Sequence, residues 1–179
     1  MGTSSKALAR KLHHLARRQH GCFTAAQAVE TGYADSVHLY HVKAGHWIRL
    51  YRGVYRLATI PETPASRCMA ALLWTRAKNG VIQGALAPDT TAALMAGSLE
   101  ADHPIRMVVG KGFRRSSSVP GNIEISVATD IEHKPSKMNG HYVLAFSPSA
   151  PELERHHFQD ITDYYDWIDY QNSRCVSRD

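Results

Sequence analysis

Residues that could perform catalytic chemistry lack the spacing that such chemistry needs. A metal-dependent nuclease of the restriction type uses an acid and a later D/E-x-K trio to hold a divalent ion and polarise water. Glu124–Ser126 has serine and Asp130–Glu132 has glutamate where that lysine belongs. The adjacent pairs His13–His14 and His156–His157 point about 100° apart on a helix, which does not suit chelation of one ion. We therefore expect no catalytic residues, no metal site, no cofactor and no enzymatic activity.

The cysteines and the apolar segments indicate a cytoplasmic protein. Cys22, Cys68 and Cys175 are far apart, odd in number and without a C-x-x-C pair, so neither a disulfide framework nor a zinc site is expected. The N-terminus lacks the apolar segment of a secretory signal. No apolar run approaches the roughly 18 residues that a membrane-spanning helix needs. The sequence thus predicts a reduced protein with no membrane partner.

Charge divides the 179 residues into two parts. Residues 1–60 contain nine Lys or Arg and two acids, whereas residues 61–179 contain twelve basic and fourteen acidic residues. Basic modules of this size often bind nucleic acid, because neutralising phosphates releases counterions. A solvated basic face without a ligand is the alternative that charge alone leaves open. We expect two domains, at 1–60 and 61–179.

The pattern of the first sixty residues predicts three helices and a β-hairpin. An apolar stripe with basic flanks runs from Ser5 to about Gln19, and Gly21 ends it. Thr24 and Gln27 form a capping box for a short helix that Gly32 ends. A third helix begins near Asp35 and ends at Gly45. Two strand-like runs, 47–50 and 54–57, follow with a turn at Gly53.

That order of elements is typical of a winged helix-turn-helix. The third helix of this fold enters the major groove, and the hairpin wing follows the DNA backbone. We expect Ser36, Tyr40 and Lys43 to face the groove, Val42 to pack inward, and the wing arginines to contact phosphates. The candidate DNA-contacting residues of this part are Thr24, Ser36, Leu39, Tyr40, His41, Lys43, Arg49, Tyr51 and Arg52.

The second part predicts a small α+β domain with a mixed or antiparallel sheet. Helices are expected from Pro64 to about Lys78 and from Pro88 to Ala96, with a brief extended piece at 81–83. Apolar or alternating runs predict strands at 105–109, 123–127 and 142–146. Helices on one side of a small sheet give an α+β fold.

A basic, glycine- and serine-rich segment, Gly110–Ser118, links two of these strands. Lys111, Arg114 and Arg115 are candidate phosphate contacts. It is not a P-loop, because G-x-x-x-x-G-K-S/T is absent. A solvated hairpin loop is the other interpretation.

The tail Phe158–Tyr170 predicts an amphipathic helix, with Ile161, Tyr165 and Ile168 on one face. Its four aspartates are three residues apart, and such a step drifts around a helix with 3.6 residues per turn. They are therefore expected on a solvated face rather than around a metal.

The stretch Gly21–Ala58 resembles the N-terminal domain of AbiEi-type antitoxins of type IV toxin–antitoxin systems. Its matching elements are Phe23–Glu30, the recognition helix Asp35–Ala44 and the hairpin Trp47–Leu57 with Gly-Val-Tyr-Arg. The resemblance implies a transcriptional regulator that binds double-stranded DNA at inverted repeats in its own promoter. A weaker resemblance of 85–97 and 103–109 to the second domain of that family implies a nucleotidyltransferase-like toxin as partner.

Two other functions stay open from the sequence. One is a nuclease fused to a DNA-reading domain, and the other is an interaction module whose basic face binds RNA or a protein. Mg²⁺-dependent cleavage distinguishes the first, and a salt-dependent shift of promoter DNA distinguishes the regulator. We expect the regulator, with the oligomeric state left open.

Overall fold

A computed structural model describes residues 5–129 and, through their backbone, residues 133–138 and 141–146. Within these ranges no helix is both long and apolar enough to cross a membrane. Several predictions fall outside the described residues: the helix predicted for the tail with its aspartates, Cys175 and the pair His156–His157.

The first part of the chain is a winged helix-turn-helix, as predicted. A helix, a short strand and a second helix precede a 3₁₀ turn, Asp35–Val37, that leads into the third helix. The strands form an antiparallel sheet in the order β1-β3-β2. The elements are α1 (Ser5–Arg18), β1 (Cys22–Thr24), α2 (Ala25–Thr31), α3 (His38–Lys43), β2 (Trp47–Tyr51) and β3 (Val54–Leu57).

Local sequence accounts for the tight helix-turn-helix. Thr24 and Gln27 form the predicted capping box, with Gln27 N donating to Thr24 Oγ1 at 3.2 Å. Gly32 ends α2 at φ 113°, and a Cβ there would lie 2.8 Å from Leu8 Cδ2. Only glycine fits this combination of positive φ and close approach. The turn therefore holds α2 against α1.

The second part is an α+β unit with a mixed five-stranded sheet in the order β6-β5-β4-β8-β7. β5 pairs parallel with β6 and antiparallel with β4, which pairs parallel with β8. Nearly every side chain of its first helix is buried, so that helix forms the centre of the core. The elements are α4 (Pro64–Trp74), β4 (Gly84–Leu86), α5 (Pro88–Met95), β5 (Ile105–Gly110), β6 (Ile123–Ala128), β7 (His133–Met138) and β8 (His141–Phe146).

Three details differ from the sequence-based expectation. The strands β1 and β7 were not predicted; β1 has only three residues, all buried, and therefore no alternating pattern. α4 ends at Trp74 rather than Lys78, because the Thr75 hydroxyl donates to Leu72 O at 2.7 Å and accepts from Gly84 N at 3.1 Å. The segment Gly110–Ser118 is not a hairpin loop, since the strands it joins run parallel.

One of the two buried apolar clusters joins the two parts. Cys22 of β1 and Val54 of β3 belong to the buried cluster built around α4. Cys22 Sγ donates to Ser66 O at 3.2 Å, and burial raises the pKa of this thiol to about 12, which keeps it protonated as a donor. The sheet of the winged helix therefore packs directly on the first helix of the second part.

Candidate nucleic-acid interface

An aromatic cluster fixes the inner face of the recognition helix α3. His38 is 6% exposed and lies 5.3 Å from the Trp47 ring, centroid to centroid. His41 stacks on the same ring at 4.6 Å and 16°. Val42 packs against the core cluster that contains Trp47. The expectation that Val42 points inward is thus met, and the contacts of His38 and His41 with Trp47 set the rotation of the helix about its axis.

The outer face of α3 and of the turn before it presents four exposed side chains. Ser36, Leu39, Tyr40 and Lys43 follow helical spacing and are all exposed. Leu39 is 61% and Tyr40 63% exposed, although both are large and largely apolar. The structure therefore places on one surface the residues that the sequence assigned to the major groove.

A histidine pair lies at the end of α3. His41 Nδ1 and His46 Nδ1 are 3.3 Å apart, close enough to share one hydrogen bond while at least one ring is neutral. Partial burial, followed by the neighbouring His46 and His38, lowers the pKa of His41. No group of three metal-ligating side chains occurs among the residues whose side chains are described. His41 therefore packs on Trp47 inside the aromatic cluster and also contacts the exposed His46.

The wing carries two exposed arginines and one tethered tyrosine. Arg49 and Arg52 are exposed, and neither forms an ion pair with a carboxylate of the described residues. Tyr51 is half-buried, and its hydroxyl accepts from Asn122 Nδ2 at 2.9 Å. Burial is the main cause of the raised pKa of Tyr51. Tyr51 thus fixes the wing to the second part, whereas the arginines are available to a ligand.

Thr24 lies beneath the surface and not on it. It is 7% exposed, and besides capping α2 its hydroxyl accepts from Arg76 Nη1 at 3.0 Å. Arg76 is itself buried; its Nε donates to Gly80 O at 2.8 Å, and Nη2 lies 3.9 Å from Glu30. Sequence reasoning missed Arg76, because no local pattern marks a contact across 52 residues.

The basic segment after β5 lies beside the wing. Arg115 Nη1 donates to Arg76 O at 2.9 Å, and its guanidinium lies 5.5 Å from the Trp74 ring centroid. Partial burial, and then the charge of Arg52, lower the pKa of Arg115. Lys111 and Arg114 are exposed, although Arg114 donates to two carbonyls of its own loop. Arg115 is therefore engaged in packing, and the outer two cations are free of carboxylates within the described residues.

One acid–lysine spacing was missed by sequence reasoning. Glu132-His133-Lys134 has the E-x-K pattern, and the last two of these residues begin β7. Glu132 and the side chain of Lys134 are outside the described residues. The other acid of that search, Glu124, accepts from Arg106 Nε at 2.9 Å. The E-x-K spacing is compatible with the nuclease alternative.

The comparison with protein families agrees with the architecture of the first part. Residues 10–58 match the family described as "Transcriptional regulator, AbiEi antitoxin". The match extends from within α1 to just after β3 and includes the recognition helix and the wing. No curated protein matches the chain. The resemblance of this region to the N-terminal domain of AbiEi-type antitoxin regulators is confirmed over residues 10–58.

Proposed function

We propose that the chain is a DNA-binding transcriptional regulator that represses its own promoter as the antitoxin of a type IV toxin–antitoxin pair. The observation that carries this proposal is the exposed outer face of α3 beside Arg49 and Arg52, which form no ion pair within the described part of the chain. A helix of this size fits the major groove, and cations at its side fit the phosphates. The ligand is then double-stranded DNA with inverted repeats, and the protein acts in the cytoplasm without catalysis.

The two parts of the chain are proposed to divide this work. Residues 1–60 bind DNA, and residues 61–179 bind a nucleotidyltransferase-like toxin. Support comes from the charge division and from the match of the family to the first part. Lys111 and Arg114 extend the basic surface next to the wing, so they are proposed as accessory phosphate contacts.

A promoter-binding measurement tests the proposal. The full chain is titrated into labelled duplex from upstream of its own gene, at several salt concentrations, with a shuffled duplex as the control. Sequence-specific binding with a steep salt dependence is expected, because each neutralised phosphate releases a counterion. Equal affinity for both duplexes would contradict the regulator. A reporter driven by the same promoter then measures repression in the cell.

The same reactions test the nuclease alternative. Mg²⁺ is added to the protein–DNA mixtures, and the products are resolved on a denaturing gel. Intact DNA is expected. Cleavage that requires Mg²⁺ and disappears in Glu132→Gln would establish a nuclease instead.

A further inference from the structure

The exposed face of α3 is unusual for a DNA-reading surface because its centre is apolar. Leu39 and Tyr40 occupy the middle of the face, with Ser36 before them and Lys43 as its one lysine or arginine. Exposing such side chains gives up the free energy that burial would supply. A base-reading function is a reason to keep them exposed.

The packing of α3 prevents these two side chains from turning inward. His38 and His41 both contact the Trp47 ring on the inner side. Tyr40 also makes an edge contact with the His41 ring, with centroids 5.4 Å apart. A rotation of the helix that buried Leu39 would break both contacts with Trp47. The apolar centre is therefore presented in a fixed direction.

The charges around the apolar centre indicate which kind of ligand binds there. Lys43, Arg49 and Arg52 lie on the same recognition helix and wing, and none forms an ion pair with a described carboxylate. Such a rim complements a polyanion. On the major-groove edges of DNA bases, the apolar group is the C5-methyl of thymine, while the other features are hydrogen-bond donors and acceptors.

We propose that Leu39 and Tyr40 recognise thymine methyl groups, so that each half-site places thymines under the centre of α3. This inference rests on the proposed function, since it requires the helix in the major groove. It assigns base preference to apolar contact, and it leaves phosphate contact to Arg49 and Arg52.

Replacing thymine by uracil tests this without altering the protein. Duplexes are first selected from a random pool by the full-length parent chain, and each thymine of the selected site is then replaced by deoxyuridine. Uracil keeps the base pair and O4 but lacks the methyl group. Affinity is expected to fall about fourfold for each contacted methyl, the equivalent of about 0.8 kcal/mol.

Protein variants assign the effect to the two side chains. Each of these variants, Leu39→Ala and Tyr40→Ala, should lose the preference for thymine over uracil at one position of the site. At that position, the thymine and uracil duplexes should bind with nearly equal affinity. Met95→Ala, which truncates an apolar residue that is 56% exposed on α5, is the matched control and should keep the parent ratio. Because Leu39 is also exposed, its truncation should leave the unfolding midpoint unchanged.

The outcomes separate the inference from the proposed function. If the parent selects no sequence from the pool, the regulator itself is wrong. A selected site without thymine, or equal affinity for thymine and uracil duplexes, would overturn the methyl contact alone. A thymine preference that survives in the Leu39→Ala/Tyr40→Ala double variant would show that other residues make the contact.

Discussion

The arginines of the two parts differ in what surrounds them. In the wing, Arg49 and Arg52 are exposed and form no ion pair among the described residues. In the second part, Arg106 bonds to Asp89 at 2.7 Å and to Glu124 at 2.9 Å. Those two carboxylates neutralise Arg106, whereas Lys111 and Arg114 of the same part form no ion pair among the described residues. Whether an arginine is available to bind phosphate therefore depends more on the carboxylates around it than on the number of arginines in that part of the chain.

A second contrast separates surface arginines from buried ones. Arg56 bonds to Ile60 O and lies 3.3 Å from Glu62, and Arg76 reaches Thr24 and Gly80. Both are among the buried residues of the molecule. They join elements together and contribute nothing to a DNA surface. The charge of residues 1–60 thus overstates the number of possible phosphate contacts by at least one.

Replacing the buried Arg76 should have the largest effect on stability. Arg76→Met keeps the apolar stem but removes the donor from Gly80 O and Thr24 Oγ1. Since a buried acceptor without a partner costs roughly 1–3 kcal/mol, we expect the free energy of unfolding to fall by about 3 kcal/mol.

The matched control for Arg76→Met is Arg106→Met, in which an exposed arginine is removed in the same way. Urea denaturation of the full chain measures both. A much smaller change is expected for Arg106→Met, because its ion pairs are solvated. Equal losses in the two variants would remove the distinction between buried and exposed arginines.

The sequence predicted the elements of the site better than the contacts between them. Periodicity and the capping box place α1, α2 and the hairpin within about one residue, because these signals are local. The hydrogen bond from Arg76 to Thr24 and that from Asn122 to Tyr51 join residues 52 and 71 positions apart, and no local pattern encodes such pairs. Thr24 could be identified as a cap but not as a buried partner of the second part.

The face of α3 was predictable for a related reason. Val42 was expected inward, and Ser36, Tyr40 and Lys43 outward, because helical spacing fixes relative direction. The basic segment differs. Its sequence predicts three equivalent cations, whereas Arg115 is held against Trp74 by a tertiary contact that only the folded chain creates.

The recognition helix should contribute more to DNA affinity than the basic segment does. Tyr40→Ala/Lys43→Ala should weaken promoter binding by about 1–3 kcal/mol for each base interaction that the substitutions remove. Lys111→Ala/Arg114→Ala serves as the comparison and should have a smaller effect, since these residues lie outside α3. Fluorescence anisotropy at one salt concentration measures both. Unchanged affinity in the folded Tyr40/Lys43 variant would contradict the placement of α3 in the groove.

The wing should affect the salt dependence rather than the sequence preference. Arg49→Ala and Arg52→Ala should each lower the slope of log affinity against log salt by about one unit. The reversal Lys111→Glu/Arg114→Glu measures the accessory surface, and Arg115 is left intact because it packs on Trp74. A parental slope in Arg52→Ala would contradict the phosphate contact of the wing. A collapse of affinity in the reversal as large as that in the wing variants would show that both parts bind DNA.

The smallest predicted effect is the loss of stability as the pH is lowered. This loss should begin at a higher pH in the first part than in the second. The pKa of His41 is lowered in the folded chain, so the unfolded chain binds the proton more readily. Stability is therefore complete above the unfolded pKa of about 6.5 and falls as the pH decreases through it. The pKa of Asp89 is also lowered, chiefly by its hydrogen bond from Arg106, so its contribution disappears only below about pH 4.

His41→Phe keeps a ring against Trp47 and removes the titration. Because His41 is only partly buried, the difference should stay below about 1 kcal/mol. Urea midpoints of the full chain at about pH 7.5 and about pH 5.5 should diverge less in His41→Phe than in the parent. Asp89→Asn should lower both midpoints by a similar amount, so the difference between the two pH values should stay as it is in the parent. If Asp89→Asn changes that difference more than His41→Phe does, the acid sensitivity belongs to the second part and the contrast between the two parts is reversed.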